Sequence, residues 1–394
     1  MTTSTKRANT NGVDLGAMDQ MSARMRENPG TGLLQFRSSS TWKGGAVTET
    51  TFAGYKQDGL DMARPIPHKL GADEPPALLG TGTQPGPAGH LIHALTHSFA
   101  ATMAYHGARR GVEINSMKID AEGKLDLQGM LALNQAVRPG FKQINLTVWV
   151  DSPNTTDEVR DLFQYAQGRS PIVATLSQPV DVDWKYEIEP ARPRPEKDGM
   201  RHGVNMQNLM NTVGAIQQNP VLGKCKFYTS AEWLGGMKVR SDSPGFDQAE
   251  GDQLIRHWDP EPRGYTGDEP QSLLGTDAGP SSCEALLKAM ASCVTVTTSY
   301  HAAARGMSLD AFDVDFEGDL DLRGLTDMDD AVTPGYKKIR ARVCIKAGAP
   351  KEDIDEFVKF ATAHSPMCNT VMKPVTVTFS LMHNGRAAAG SAVE

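Results

Sequence analysis

The nine residues Met103–Gly111, MAYHGARRG, return 195 positions later as Thr298–Gly306, TSYHAAARG. The echo continues on both sides at the same offset. EGKLDLQG (122–129) faces EGDLDLRG (317–324), AVRPGFKQI (136–144) faces AVTPGYKKI (331–339), and SPIVATLSQPV (170–180) faces SPMCNTVMKPV (365–375). Without a gap, Leu78–Val182 aligns with Leu273–Val377 at 34 identities in 105 positions. Upstream the offset becomes 191, where NPGTGLLQFRSSSTWKGG (28–45) faces NPVLGKCKFYTSAEWLGG (219–236). Similarity this long is a duplication, and two copies of one domain stand in tandem.

The second copy reads as α+β. Asn205–Gln218 has apolar residues at helical spacing and stops before Asn219-Pro220. Lys224–Ser230 and Met237–Asp242 flank a Gly-Gly turn and predict a hairpin. Ser281–Arg305 predicts a long helix stopped by Gly306, apolar on most sides and therefore buried. Strands are expected over Ala311–Leu322, Tyr336–Lys346 and Val375–Met382, with an amphipathic helix over Lys351–His364. No alternation of strand, helix and parallel strand occurs, which separates this class from α/β. In the first copy the central helix falls at Gly89–Arg110. The domains then run 1–188 and 204–385. EPARPRPEKDGMRHG supplies a proline-rich linker at 189–203, and 386–394 is a loose tail.

Composition narrows the function. Net charge is −7 and the 40 basic residues are scattered, so no stripe for nucleic acid forms. No run of eighteen apolar residues is present, which speaks against a membrane span. The start, MTTSTKRANTNGVDLG, lacks the apolar stretch of a secretory leader, so the expected compartment is the cytoplasm. Five cysteines in a chain of 394 residues make no disulfide scaffold there.

Three stretches of the second copy carry a resemblance: DEPQSLLGTDAGPSSCEALLKAMASC (268–293), EGDLDLRG (317–324) and HSPMCNTV (364–371). They resemble the OsmC/Ohr family, named for osmotically inducible protein C and the organic hydroperoxide resistance proteins. The first copy resembles the same domain without its cysteines. The resemblance implies α+β homodimers with interwoven subunits, long central helices and reactive sites at the dimer interface. Two copies in one chain then imply a dimer made covalent, an intrachain pseudo-dimer.

The resemblance also implies thiol chemistry. Cys293, inside the long helix, would attack an organic hydroperoxide, and Cys368 would resolve the sulfenic acid as a disulfide. A small dithiol or a lipoylated protein would reduce that disulfide, with no bound cofactor and no metal. Two further residues follow by likeness. Glu284 matches the family's proline-then-glutamate position within one residue, the proline being Ser282 here, although Ser281-x-x-Glu284 is also a capping box. Arg240, seven residues after Trp233, matches the family's hairpin arginine and could lower a thiol pKa.

The first copy has Ser98 at the place of Cys293, Val173 at Cys368, Gly89 at Glu284 and Glu49 at Arg240. Whether Arg240 reaches the Cys293 site or the degenerate one stays open in the sequence, as does pairing of second copies in a homodimer. His90, His93 and His97 share one helix face and read either as packing or as a metal ligand set, and no metal is assigned. Ser98 beside His97 lacks the third member of a triad. His106 and His301 occupy equivalent places and predict a shared hydrogen bond near the helix end. Cys225, Cys283 and Cys344 read as bystanders, while Trp42 and Trp233 cover their hairpins. The expected activity is thiol-dependent reduction of organic hydroperoxides. The alternatives are other chemistry in the asymmetric interface pocket, or a ligand-binding or redox-sensing protein.

Overall fold

The computed structural model describes residues 9–250, 253–258 and 263–388. Residues 1–8 of the leader reading and 389–394 of the expected tail lie outside them. The first copy opens with helix α1 (Leu15–Glu27) and a three-stranded meander, β1 (Leu33–Gly44), β2 (Val47–Gln57) and β3 (Leu60–Ala72). The central helix α2 (Pro87–Arg110) follows, then strands β4 (Ser116–Asp126) and β5 (Gln143–Asp151). Helices α3 (Thr156–Arg169) and α4 (Pro171–Ser177) lead to strand β6 (Val182–Pro190).

The second copy repeats the plan. Helix α5 (Met206–Gln218) precedes β7 (Lys224–Trp233), β8 (Val239–Ser243), β9 (Phe246–Glu250), β10 (Gln253–Trp258) and β11 (Arg263–Gly267). Its central helix is α6 (Ser282–Ala304), followed by β12 (Leu309–Asp321) and β13 (Lys338–Ala347). It closes with α7 (Lys351–Ala363), α8 (Pro366–Met372), β14 (Thr376–His383) and the short β15 (Arg386–Ala387), which takes up the first residues of the expected tail. Helix α8 was not anticipated, because seven residues after a proline carry too little periodicity to be seen.

Neither copy builds a sheet alone. One sheet runs β3-β2-β1-β12-β13-β6, so two strands of the second copy lie between the first copy's meander and its last strand. The other runs β10-β9-β7-β4-β5-β14-β15, with β8 branching from β7 and β11 paired to β8. The exchange obeys the repeat. Leu33 to Thr41 pair with Asp321 to Asp313, and Lys224 to Glu232 pair with Asp126 to Lys118. The last strands are exchanged as well, Val182 lying beside Ile339 and Val377 beside Ile144.

The two central helices lie on each other between the sheets, α2 against β7 and β4, α6 against β1 and β12. Every residue from Pro87 to Ala108 and from Ser282 to Ala303 is buried. A helix enclosed on all sides buries mostly apolar residues, which is the pattern the sequence carries. Both end on a glycine in the left-handed region, Gly111 (φ +75°) and Gly306 (φ +76°), where a Cβ would be strained. His106 Nε2 reaches the Leu325 carbonyl at 2.9 Å and His301 Nε2 the Met130 carbonyl at 2.8 Å. These equivalent bonds tie each helix to the opposite copy. The equivalent Trp42 and Trp233 donate to Gly45 O and Gly236 O at 3.0 and 2.9 Å, closing their Gly-Gly turns.

Candidate functional site

Cys293 sits in the middle of α6, where its sulfur accepts from the Met367 amide at 3.4 Å. That amide belongs to the first turn of α8, whose Pro366 has no N–H to offer. The next residue is Cys368, fully buried, its thiol 3.9 Å from the Met290 carbonyl one turn up α6 from Cys293. The buried Ser365 hydroxyl lies against both sulfurs. Burial dominates the chemistry. It pushes the Cys293 thiol up to about 12, against the smaller opposing pull of Ser365 and Met367, and it raises Cys368 too.

The Cys293 sulfur borders a cavity of about 40 Å³ assembled from both copies. Cys293, Val296, Tyr300 and Met367 come from the second copy, and Leu78, Pro87, Ala88 and Leu125 from the first. None of the lining residues is Lys, Arg or His, and Glu74 is the one ionisable carboxyl among them. The Tyr300 hydroxyl is spent on the Leu78 carbonyl. Glu74 is half-buried with its Oε2 closed off from solvent and unpartnered. Desolvation, then the neighbouring Asp73, push its carboxyl up to about 8, so it is mostly a neutral acid at pH 7.

The other two expected site residues do not join this cavity. On β8, Val239 and Ser241 face the core while Arg240 between them points outward, as strand alternation requires. Arg240 binds Asp242 at 2.9 Å and lines a surface groove with Lys118, Trp149 and Trp233. Glu284 stands nine residues before Cys293 on one helix, about 13.5 Å along its axis. It completes the capping box with Ser281 and receives a guanidinium, but from Arg64 of the first copy, at 2.6 and 3.0 Å. Arg64 also holds Asp277 at 2.8 Å. Sequence reasoning missed Arg64 because it lies in the meander where the repeat changes offset and no partner marks it.

A second cavity, about 30 Å³, repeats the first at the degenerate end. Ser98 replaces the thiol, its hydroxyl 2.9 Å from the Ser170 hydroxyl and accepting from the Ile172 amide at 3.2 Å. Adding 195 to these numbers gives Cys293, Ser365 and Met367, so the surroundings outlasted the thiol. Cys283 borders this cavity opposite Ser98, raised by burial and distant from the dithiol. The other two cysteines are apart from both cavities, Cys225 on β7 and Cys344 on β13.

The three histidines of α2 are packed inside. His90 Nε2 meets the Gly71 carbonyl at 3.2 Å, His97 Nε2 meets Met237 O at 2.9 Å, and the His93 ring lies 4.0 Å from the Tyr265 ring. Burial holds His90 and His93 well below the usual imidazole range, hence neutral. Among the described residues no three His, Cys, Asp or Glu side chains converge on a metal site. Nor is any described helix long and apolar enough to cross a membrane.

The family model for OsmC-like protein matches this chain twice, at residues 80–185 and 275–380. The matches cover more than half of the chain and coincide with the two repeats. A crystal structure of an OsmC-like protein from Mycoplasma pneumoniae is 19% identical and covers 34% of this chain and 87% of its own, with a TM-score of 0.25. No curated protein matches the sequence.

Proposed function

The chain belongs to the OsmC-like protein family, and within it we propose a thiol-dependent peroxidase of small organic hydroperoxides, worked by the second copy's Cys293. The observation that carries this is the Cys293 sulfur at the edge of an apolar cavity, with a backbone amide on it and a second thiol one residue beyond that amide. The sulfur attacks the terminal oxygen of R–O–O–H, an S–O bond forms, the O–O bond breaks, and the alkoxide leaves as ROH. Sulfur is oxidised by two electrons and the peroxide reduced by two. Cys368 then displaces the sulfenic hydroxyl as water and a disulfide forms. An external dithiol, free or protein-bound, returns both thiols. The cavity suits small substrates, since 40 Å³ is about three water sites at roughly 10–15 Å³ each.

Cys293→Ser should abolish consumption of tert-butyl hydroperoxide. Cys368→Ser should give one turnover and then a protein heavier by two oxygens at Cys293, because nothing traps the sulfenic acid. Normal turnover in the Cys293→Ser protein ends the peroxidase reading. One observation favours a rival: the cavity lining contains no cation and the thiol is held at about 12, conditions under which a thiol is inert. The rival is a pocket that binds a small apolar molecule, and such binding would survive both substitutions.

A further inference from the structure

The two cavities differ in how their glutamates are held: Glu269 has His97 at 3.8 Å where the repeat gives Glu74 only Ser292, and it has a second set of partners that Glu74 lacks. In the second copy, Glu269 accepts from the Ser282 amide at 3.1 Å and from its hydroxyl at 2.7 Å. The equivalent carboxyl in the first copy is Glu74, and Pro87 occupies the place of Ser282. Proline has neither an N–H nor a hydroxyl, so both donors vanish together. Glu74 therefore lacks the two bonds that hold Glu269 Oε1; its Oε2 is unpartnered, as Glu269 Oε2 also is, and the residue borders the Cys293 cavity. It also borders a neighbouring cavity of about 50 Å³ beside Gly89, where Glu284's side chain has no counterpart.

We propose that Glu74 of the first copy is the proton relay for Cys293 of the second, passing the thiol proton to the departing alkoxide. This rests on the peroxidase reading. As the S–O bond forms and the O–O bond breaks, one carboxyl oxygen takes the proton from sulfur. The other gives its own proton to RO⁻, so Glu74 ends as it began and ROH leaves neutral. A carboxylic acid serves here because the thiol is unionised and no cation lines its cavity to ionise it. Titratable and charged neighbours of Glu74 are Asp73 beside it, Cys293 and Tyr300 from α6, Cys225 and Tyr228 from β7, and Arg263 from β11. Asp73 is already committed to the amides and hydroxyls of Thr81 and Thr83. Tyr228 is likewise committed to Asp247.

The test is consumption of tert-butyl hydroperoxide with dithiothreitol from pH 6 to 10, in the full chain and its Glu74→Gln, Pro87→Ser and Cys293→Ser variants. The unsubstituted chain should hold a Cys293-dependent rate level to about pH 8, where Glu74 ionises. Glu74→Gln should lose on the order of 10²-fold at pH 6.5, then climb tenfold per pH unit and meet the parent at about pH 8.5. Pro87→Ser returns the two donors and should move the break to lower pH, a shift that a purely structural role would not produce. Equal rates for Glu74→Gln and parent at pH 6.5, with Cys293→Ser inactive, overturn the relay and leave the peroxidase standing. If Glu74→Gln does not fold, an unmoved break in Pro87→Ser overturns it instead. Full activity in Cys293→Ser sinks both.

Discussion

Alkylation of Cys293 by iodoacetamide isolates the thiol from the rest of the chemistry, because no alkoxide needs a proton. The perturbation is pH alone. An ordinary cysteine near 8.5 is about 3% thiolate at pH 7. Burial disfavours the charged form and holds Cys293 at about 12, which leaves a fraction of about 10⁻⁵. The ratio is about 3,000, or roughly 5 kcal/mol at 1.36 kcal/mol per unit. Cys293 is 4% exposed, so restricted access slows the reagent further and the absolute rate mixes two effects. The slope does not. Between pH 7 and 9.5 the rate should rise tenfold per unit with no plateau, followed by mass spectrometry of the peptide that spans Cys293. A plateau with its midpoint near or below 7, or a pH 7 rate within tenfold of free cysteine, would refute the argument from burial. It would also mean that a cation reaches this sulfur in solution.

Three further outcomes are open to measurement. Glu74→Gln should stabilise the fold at pH 7 and leave it unchanged at pH 4. A carboxyl at about 8 when folded and near 4.3 when unfolded favours folding fully below 4.3, and that favour is lost as pH rises toward 8. Full linkage gives roughly 3–4 kcal/mol at pH 7, which the partial exposure of Glu74 reduces to about 2. Equal urea midpoints for the two proteins at pH 7 would contradict it. Arg64→Ala should cost about 3–5 kcal/mol by stranding the buried Glu284, whereas Arg240→Ala on the exposed strand face should change the melt by under about 0.5. Ser98→Cys with Val173→Cys places a thiol pair where the Ile172 amide already waits, and should add one peroxide-reactive thiol per chain in a stoichiometric titration. No gain in a folded protein would show that the second cavity is closed to peroxide.

The repeat, the two central helices and the hairpins were legible because each follows from local pattern: glycine after the last turn, apolar residues throughout, Gly-Gly between short strands. Strand exchange was not legible in the same way. An offset of 195 reports that two segments are alike and is silent on whether each pairs within its copy or across, so interweaving came from family likeness alone. Arg240 shows the opposite failure. Its neighbours Val239 and Ser241 are the buried members of an alternating strand, and reading that parity would have turned Arg240 to solvent. Arg64 could not have been found that way. It sits 213 residues from Asp277 and 220 from Glu284, in a meander that the two copies do not share residue for residue.

Duplication explains how one molecule can hold a free acid beside its thiol and a tethered acid beside its hydroxyl. In a homodimer of a single copy, every substitution enters both interface sites. Pro87 would free both glutamates, and Ser98 would remove both thiols. Each cavity here draws its helix residue from one copy and its glutamate from the other. Fusion therefore lets Pro87 and Ser282, or Ser98 and Cys293, diverge without touching the partner position. The cost of divergence is set by what each side must still satisfy. His106 and His301 bond the opposite copy at both ends, and the two exchanged sheets keep a common register. The scaffold is held symmetric by contacts that serve both halves, while the lining of each cavity is free to drift. Loss of the first copy's thiol is then compatible with that copy remaining chemically necessary, because its Glu74 lines the same cavity as the second copy's Cys293.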